Sequence, residues 1–327
     1  MSHRLPFALI IGIGLLTGTV RLASLAAEDK PAPAASTPAA EAAYRLTYKF
    51  QLGEAVRYET VQKVKFVTQF NGNVETNTNT TETQKVYRIV GVNPDGSADL
   101  ELVIEWVKMK LDFGGEGLPV EFDSKAPGAN TQAKFANVMA TVGKPQARLH
   151  CAPSGRVLKV KEMALVMPAK GGTHTIQLKD VPVRGDDFGF LTVFPTEPIT
   201  VGKTWVEKSE ILVSGEDPKL KEKVQLQRVY KLDSVTGDQA QISFKTSVLT
   251  LVKNSNVAIQ LIQRETSGKM VFDMSRGAVI TRTVDTDKSV INPAGNNTAM
   301  HSASHLLERI ITPSTEISDI PTNNAKQ

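Results

Sequence analysis

The chain has 327 residues, 41% apolar and 22% charged, with a formal net charge of +4. This composition lies near the globular norm and allows a sizeable core. The charge is too small and too spread for a nucleic-acid footprint, and removing Arg4 and Arg21 with the N-terminal segment leaves about +2. A single cysteine, Cys151, excludes an internal disulfide, so stability must come from packing, with the thiol acting as a small buried hydrophobe.

The first segment has the three-part form of a secretory signal peptide. His3 and Arg4 give a basic start, and Leu5 to Val20 is an apolar run broken only by Gly, Pro and Thr. Ala23-Ser24-Leu25-Ala26-Ala27 then supplies small residues for cleavage. The run is shorter than the roughly 20 residues a membrane span needs. We therefore expect residues 1–26 to be a signal peptide cut after Ala26, with Ala27 the alternative. No cysteine stands at the cut to carry a lipid. The mature chain is expected in the periplasm or outside the cell, with no transmembrane segment after cleavage. Residues 27–43 are Ala/Pro-rich, hold no apolar side chain larger than Ala, and read as a linker.

From residue 44 the pattern is mostly period two. Tyr44, Leu46, Tyr48 and Phe50 alternate with polar neighbours, as do Leu100, Leu102, Ile104 and Trp106. Trp205, Ile211 and Val213 follow the same rule, and so do Ala240, Ile242, Phe244 and Val248. Such alternation puts one side of a strand in the core and the other in water. Turn signals separate the runs: Asn71-Gly72-Asn73, Asn93-Pro94-Asp95-Gly96, Thr236-Gly237-Asp238 and Pro293–Asn297. Short turns between neighbours predict antiparallel pairing. Phe135, Val138, Met139 and Val142 fall at i, i+3, i+4 and i+7 before Gly143 and Pro145, which predicts one short helix near 131–142. Thr312 to Gln327 is polar and reads as a disordered tail.

Four markers recur in the same order. Gly53-Glu54 with Tyr58 matches Gly202-Lys203 with Trp205, and Val86-Tyr87-Arg88-Ile89 matches Val229-Tyr230-Lys231-Leu232. Residues 94–102 match 237–244, and Phe122-Asp123-Ser124 matches Phe272-Asp273-Met274-Ser275. The expected fold is therefore mainly β with an α+β minority. Antiparallel curved sheets form two related halves, 44–198 and 199–311, and whether these make one sheet or two stays open.

Several phrases carry a wider likeness. They are Tyr44-Arg45-Leu46-Thr47-Tyr48-Lys49-Phe50-x-x-Gly53-Glu54 with Arg57-Tyr58, Pro153-Ser154-Gly155-Arg156-Val157-Leu158, and Phe194-Pro195-x-x-Pro198-x-x-Val201-Gly202-Lys203-Thr204-Trp205. With these the chain resembles, over about residues 44–310, a family of exported bacterial β-rich proteins of unknown function. The resemblance implies no catalytic, cofactor-binding or metal residue.

The candidate chemistry is sparse. His301, His305 and Glu308 would share one face of a helix and suit zinc. The segment follows a turn and pairs naturally with 278–284 as a strand, which sets the two histidines about 13 Å apart. His150 and Cys151 are adjacent and point to opposite faces of a strand. Arg184-Gly185-Asp186 and Asp187-Phe188-Gly189 read as a polar turn. Asp186/Asp187 and Asp285/Asp287 are paired carboxylates; the second pair has Arg282 and Lys288 as neighbouring partners. The Asn/Thr stretch Asn71–Thr83 reads as an exposed hairpin tip or edge, with sugar binding a weak option, and Val248–Val252 as a strand buried on both sides.

No catalytic residue, cofactor or metal site is therefore assigned. The expected function is non-enzymatic: an exported envelope protein that binds or scaffolds, with an apolar small molecule or an envelope component as partner and no nucleic acid. The alternative is a secreted hydrolase with unrecognised carboxylate chemistry.

Overall fold

Strands dominate because the period-two runs have no competing helical phase. In chain order they are β1 (Ala43–Tyr44), β2 (Ala55–Phe70), β3 (Asn73–Val92), β4 (Ala98–Asp112), β5 (Val120–Asp123), β6 (Pro145–Cys151), β7 (Val157–Ala169), β8 (Gly172–Val181), β9 (Ile199–Thr200), β10 (Thr204–Ser214), β11 (Lys221–Thr236), β12 (Gln239–Val248), β13 (Ser267–Asp273), β14 (Ala278–Ile291) and β15 (Thr298–Ile311). The computed structural model describes residues 42–114, 118–128, 133–169, 172–181, 191–214, 221–252, 255–292 and 296–311. The expected signal peptide, nearly all of the linker, the tail and the 184–189 turn lie outside the described residues.

One antiparallel sheet runs in the order β10-β11-β12-β13-β14-β15-β2-β3-β4-β6-β7-β8, with β5 beside β4. It is not closed: β10 and β8 are its edges among the described residues. The two expected halves therefore share one sheet, joined where β15 pairs β2 along its length, from Thr298 opposite Phe70 to Ile311 opposite Arg57.

The curvature can be read from two hydrogen bonds. Tyr48 N donates to Pro153 O at the β6–β7 turn (2.7 Å), and Lys49 N donates to Gly277 O at the β13–β14 turn (3.3 Å). β13 and β6 stand six steps apart in the sheet order, roughly 29 Å if the sheet were flat at about 4.8 Å per step. Consecutive residues of one segment bridge that distance only because the sheet rolls around them.

Inside the roll, Leu46 and Tyr48 pack with Phe194, Tyr230, Ile242 and Phe272 in the main core cluster. Tyr48 stacks on Phe50 at 5.7 Å and meets Phe272 edge-on at 5.7 Å. Gly155 permits the close approach of this segment. Its φ is +86°, and a Cβ there would stand 2.3 Å from Thr192 O and 2.6 Å from the Tyr48 ring.

A 3-10 turn (Ala133–Phe135) leads into α1 (Ala136–Thr141), within the expected helical span. Phe135 stacks on Phe122 at 4.3 Å and Val138 joins the same cluster. A second helix, α2 (Ser255–Leu261), was not expected; Val257 and Leu261, one turn apart, bury against Val213, Val224 and Leu226.

The halves share local geometry at some markers and not at others. Gly53 N donates to Ile89 O and Ile89 N to Glu54 O, both at 2.9 Å. Gly202 N donates to Leu232 O at 2.7 Å and Leu232 N to Lys203 O at 3.1 Å. Tyr87 faces Leu102 across β3–β4, as Tyr230 faces Phe244 across β11–β12. The Phe pair does not correspond. Phe272 on β13 opposes Ala240, a place that Cys151 takes in the first half by opposing Ala98; Phe122 lies on the side strand β5 opposite Met109. Both Phe side chains are nevertheless buried. The Val248–Val252 expectation is overturned: β12 ends at Val248, and Leu251 is 80% exposed.

Candidate functional site

Strand phase places a layer of charge inside the roll. Arg282 stands opposite Glu308, Glu308 opposite Thr60, and Thr60 opposite Thr83, one rung across β14, β15, β2 and β3. Glu308 Oε1 accepts from Arg282 Nη2 at 2.9 Å, and Oε2 accepts from Lys85 Nζ at 2.5 Å. Lys85 also lies over the Tyr58 and Tyr87 rings at 5.9 and 5.5 Å. Burial alone would raise the Glu308 carboxyl, but Arg282 and Lys85 outweigh it and hold it at about 2. Burial likewise opposes the charge on Lys85, and Glu308 more than restores it.

A second charged group adjoins the first. Tyr230 OH donates to Glu207 Oε2 at 2.6 Å; Arg228 donates to Tyr230 OH and to Thr246 Oγ1, both at 3.3 Å. The Arg228 guanidinium lies 4.8 Å over the Phe244 ring. Glu207, Arg228 and Thr246 are all buried. Burial pushes the Tyr230 hydroxyl well above its ordinary range. Desolvating such groups is costly, and apolar residues of the same volume would serve stability as well or better.

Beyond this layer the concave face opens into a groove of about 760 Å³. Its wall includes Thr286, Ser304, Val64 and Asn79, which form one rung: Thr286 opposite Ser304, Ser304 opposite Val64, Val64 opposite Asn79. Ser304 is four residues from Glu308 on β15, so this rung lies roughly 13 Å from the charged one. Thr246 on β12 links the groove to the second charged group, since it lines the groove and accepts from Arg228. The backbone of Thr246 donates to Thr266 O at 2.7 Å, and Lys288 pairs with Glu265 at 2.5 Å, which fixes the loop ahead of β13 as the far wall.

The structure separates the residues that the zinc reading brought together. Residues 298–311 are a strand, so Glu308 points inward while His301 and His305 take the other face of β15. There, His305 Nδ1 lies 2.6 Å from Asp285 Oδ1 and His301 Nε2 lies 2.7 Å from Asp287 Oδ1. Asp285 and Asp287 thus pair with histidines rather than with Arg282 and Lys288, whose partners are Glu308 and Glu265. Among the described residues, no group of three or more His, Cys, Asp and Glu is placed to hold a metal ion.

His150 Nδ1 lies 2.9 Å from Asp99 Oδ1, while Cys151 is fully buried and burial pushes its thiol up to about 12. Such a thiol is inert. No described helix is long and apolar enough to cross a membrane.

Sequence reasoning missed Lys85, Arg228, Arg282, Glu207 and the groove. One signal was present: Lys85 and Arg228 each precede a core tyrosine by two residues, so period two sends them inward with Tyr87 and Tyr230.

No family model matches the chain, and no curated protein matches it. Among solved structures, the chain is similar to part of lipovitellin, with a TM-score of 0.40 and 10% identity over 80% of this chain and 25% of that one. It thus spans about a quarter of lipovitellin. It is also matched to Pseudomonas aeruginosa OpdQ (TM-score 0.17, 8% identity, 80% of this chain and 99% of that one). Pseudomonas aeruginosa OccK8 (OprE) matches at a TM-score of 0.18 and 7% identity, over 79% and 98% of the two chains. Scores this low carry no argument.

Proposed function

We propose that the protein is an exported, non-enzymatic binding module of the cell envelope, and that its ligand occupies the groove on the concave face. The observation that carries this reading is the groove itself. About 760 Å³ is the size of an ordinary small-molecule site, and it lies beside an inward layer of five charged side chains, three of them buried and two largely so, that packing alone does not call for. Export is supported by the short apolar run ahead of Ala23–Ala27. An apolar ligand fits less well than one with polar groups. The rolled interior is already filled by Tyr48, Phe194 and Phe272, and the inward rung of the groove carries Thr286, Ser304 and Asn79 beside Val64.

Native mass spectrometry of protein purified without detergent from a bacterial envelope fraction tests the reading. The expected result is a co-purifying non-covalent mass that is lost when Ser304→Trp fills the groove. A bound mass retained in full by Ser304→Trp, or no bound mass in either protein, overturns it.

A further inference from the structure

We propose that the groove takes a polyhydroxylated ligand of the saccharide class, an inference that rests on the groove being the binding site. The fold buries hydroxyls and leaves them without partners. Thr266 lines the groove, is 5% exposed, and its Oγ1 has no hydrogen-bond partner within the protein. Ser302 is fully buried, and its Oγ is in the same state. Ser302 stands opposite Phe66 and Phe66 opposite Asn77, whose Oδ1 is also buried and unpartnered. Ser302, Phe66 and Asn77 form the rung next to Ser304, Val64 and Asn79, on the same face by strand alternation.

Buried polar atoms in native proteins are nearly always satisfied, and each exception calls for a partner. Of seven such atoms among the described residues, three, on Thr266, Ser302 and Asn77, lie at the groove or on the rung beside it. Hydroxyl and amide groups both donate and accept, which matches a ligand whose own groups do both. A simple anion suits the site less, because Lys288 is already committed to Glu265, and Lys63 and Lys65 stand in register with His305 and Ala303 on the opposite face of the sheet. A divalent cation is disfavoured for want of a converging ligand set among the described residues. Phe66 adds an apolar ring between Ser302 and Asn77, the kind of surface on which the C–H face of a sugar ring rests.

The test uses the mature full chain with three probes: chitotetraose, cellotetraose and laurate. Saturation-transfer NMR reads contact, and calorimetry reads affinity. The expected result is binding of at least one tetrasaccharide, weakened at least tenfold in both Thr266→Val and Asn79→Ala, with thermal stability of Thr266→Val unchanged or raised. That last outcome is what removing an unpartnered hydroxyl does to a fold that does not need it. Laurate binding blocked by Ser304→Trp, with neither saccharide bound, overturns the saccharide class and leaves the groove as the site. Saccharide binding unaffected by Thr266→Val and Asn79→Ala overturns the proposal, and if Ser304→Trp also leaves it unaffected, the groove reading falls with it.

Discussion

Glu308 is the most informative single residue to change. It is the one carboxylate between Lys85 and Arg282, and Glu308→Gln keeps its shape while removing its charge. Two largely buried cations, Lys85 and Arg282, are then left facing a neutral amide. Breaking a buried pair in this way costs about 3–5 kcal/mol. The carboxyl itself gives an independent figure. Its pKa falls from 4.5 to about 2 on folding, a drop worth about 3 kcal/mol at roughly 1.4 kcal/mol per unit. Urea unfolding at pH 7 should therefore show the midpoint falling by about 1–2 M for a slope of about 2–3 kcal/mol/M. The sign of the pH dependence follows. A depressed carboxyl stabilises the fold above its unfolded pKa and loses that contribution as pH falls through its folded pKa. Wild-type stability should drop by about 3 kcal/mol between pH 4.5 and 2 from this group, and Glu308→Gln should lack that component. A Glu308→Gln protein within about 1 kcal/mol of wild type at pH 7 would show that the charge layer is not coupled as described.

Cys151 should resist thiol reagents at pH 8 until the protein is unfolded, since its thiol is buried and held near 12; labelling with and without urea checks this. Gly155→Ala should destabilise by roughly 3 kcal/mol or more, because a left-handed φ and a contact with Thr192 O and the Tyr48 ring combine; thermal or urea unfolding reads it. Phe272→Ala should cost about 3–5 kcal/mol in the same assay, as Phe272 is fully buried among Tyr48 and Phe194. Intact mass of protein exported from a bacterial host should place its start at Ala27 or Glu28, and a mass that includes Met1 would end the export reading.

Much of the fold was legible because period two is a local signal. The alternation at Tyr44–Phe50, Leu100–Trp106 and Ala240–Phe244 identified inward faces, and Leu46, Tyr48, Leu100, Ile242 and Phe244 are buried, although residues 45–50 run as an extended segment outside any strand. Turn residues marked the hairpin at Asn71-Gly72, where Asn71 and Gly72 both take positive φ. What alternation cannot give is the long-range order of strands. Nothing local says that β15 pairs β2, or that residues 44–50 thread through the roll to meet both Pro153 and Gly277. The Phe122/Phe272 match failed for a related reason: similar tripeptides sat on strands whose partners differ, β4 for one and β12 and β14 for the other. α2 escaped notice because seven residues offer only one i, i+4 pair, Val257 and Leu261.

The site was less legible, because its residues look ordinary one at a time. A lysine or arginine in a strand is read as solvent-facing, and Lys85, Arg228 and Arg282 carry no motif. Phase is the information that separates them from their neighbours. Arg88 is one residue from Tyr87 and points outward to pair with Glu101 and sit 46% exposed; Lys85 is two residues away on the other side and points in. Applied along the whole chain, the same rule places Glu308 inward and His301 and His305 outward, which dissolves the zinc reading without any structure. An inward charge in a rolled sheet is then a question put to function. Three cations and two carboxylates inside one face gain little for stability over aliphatic side chains. Their position beside a groove where Thr266 Oγ1 lacks a partner gives them a purpose that packing does not. They hold the strands of the roll in one register, and through the Arg228–Thr246 hydrogen bond they fix the wall against which a polar ligand would lie.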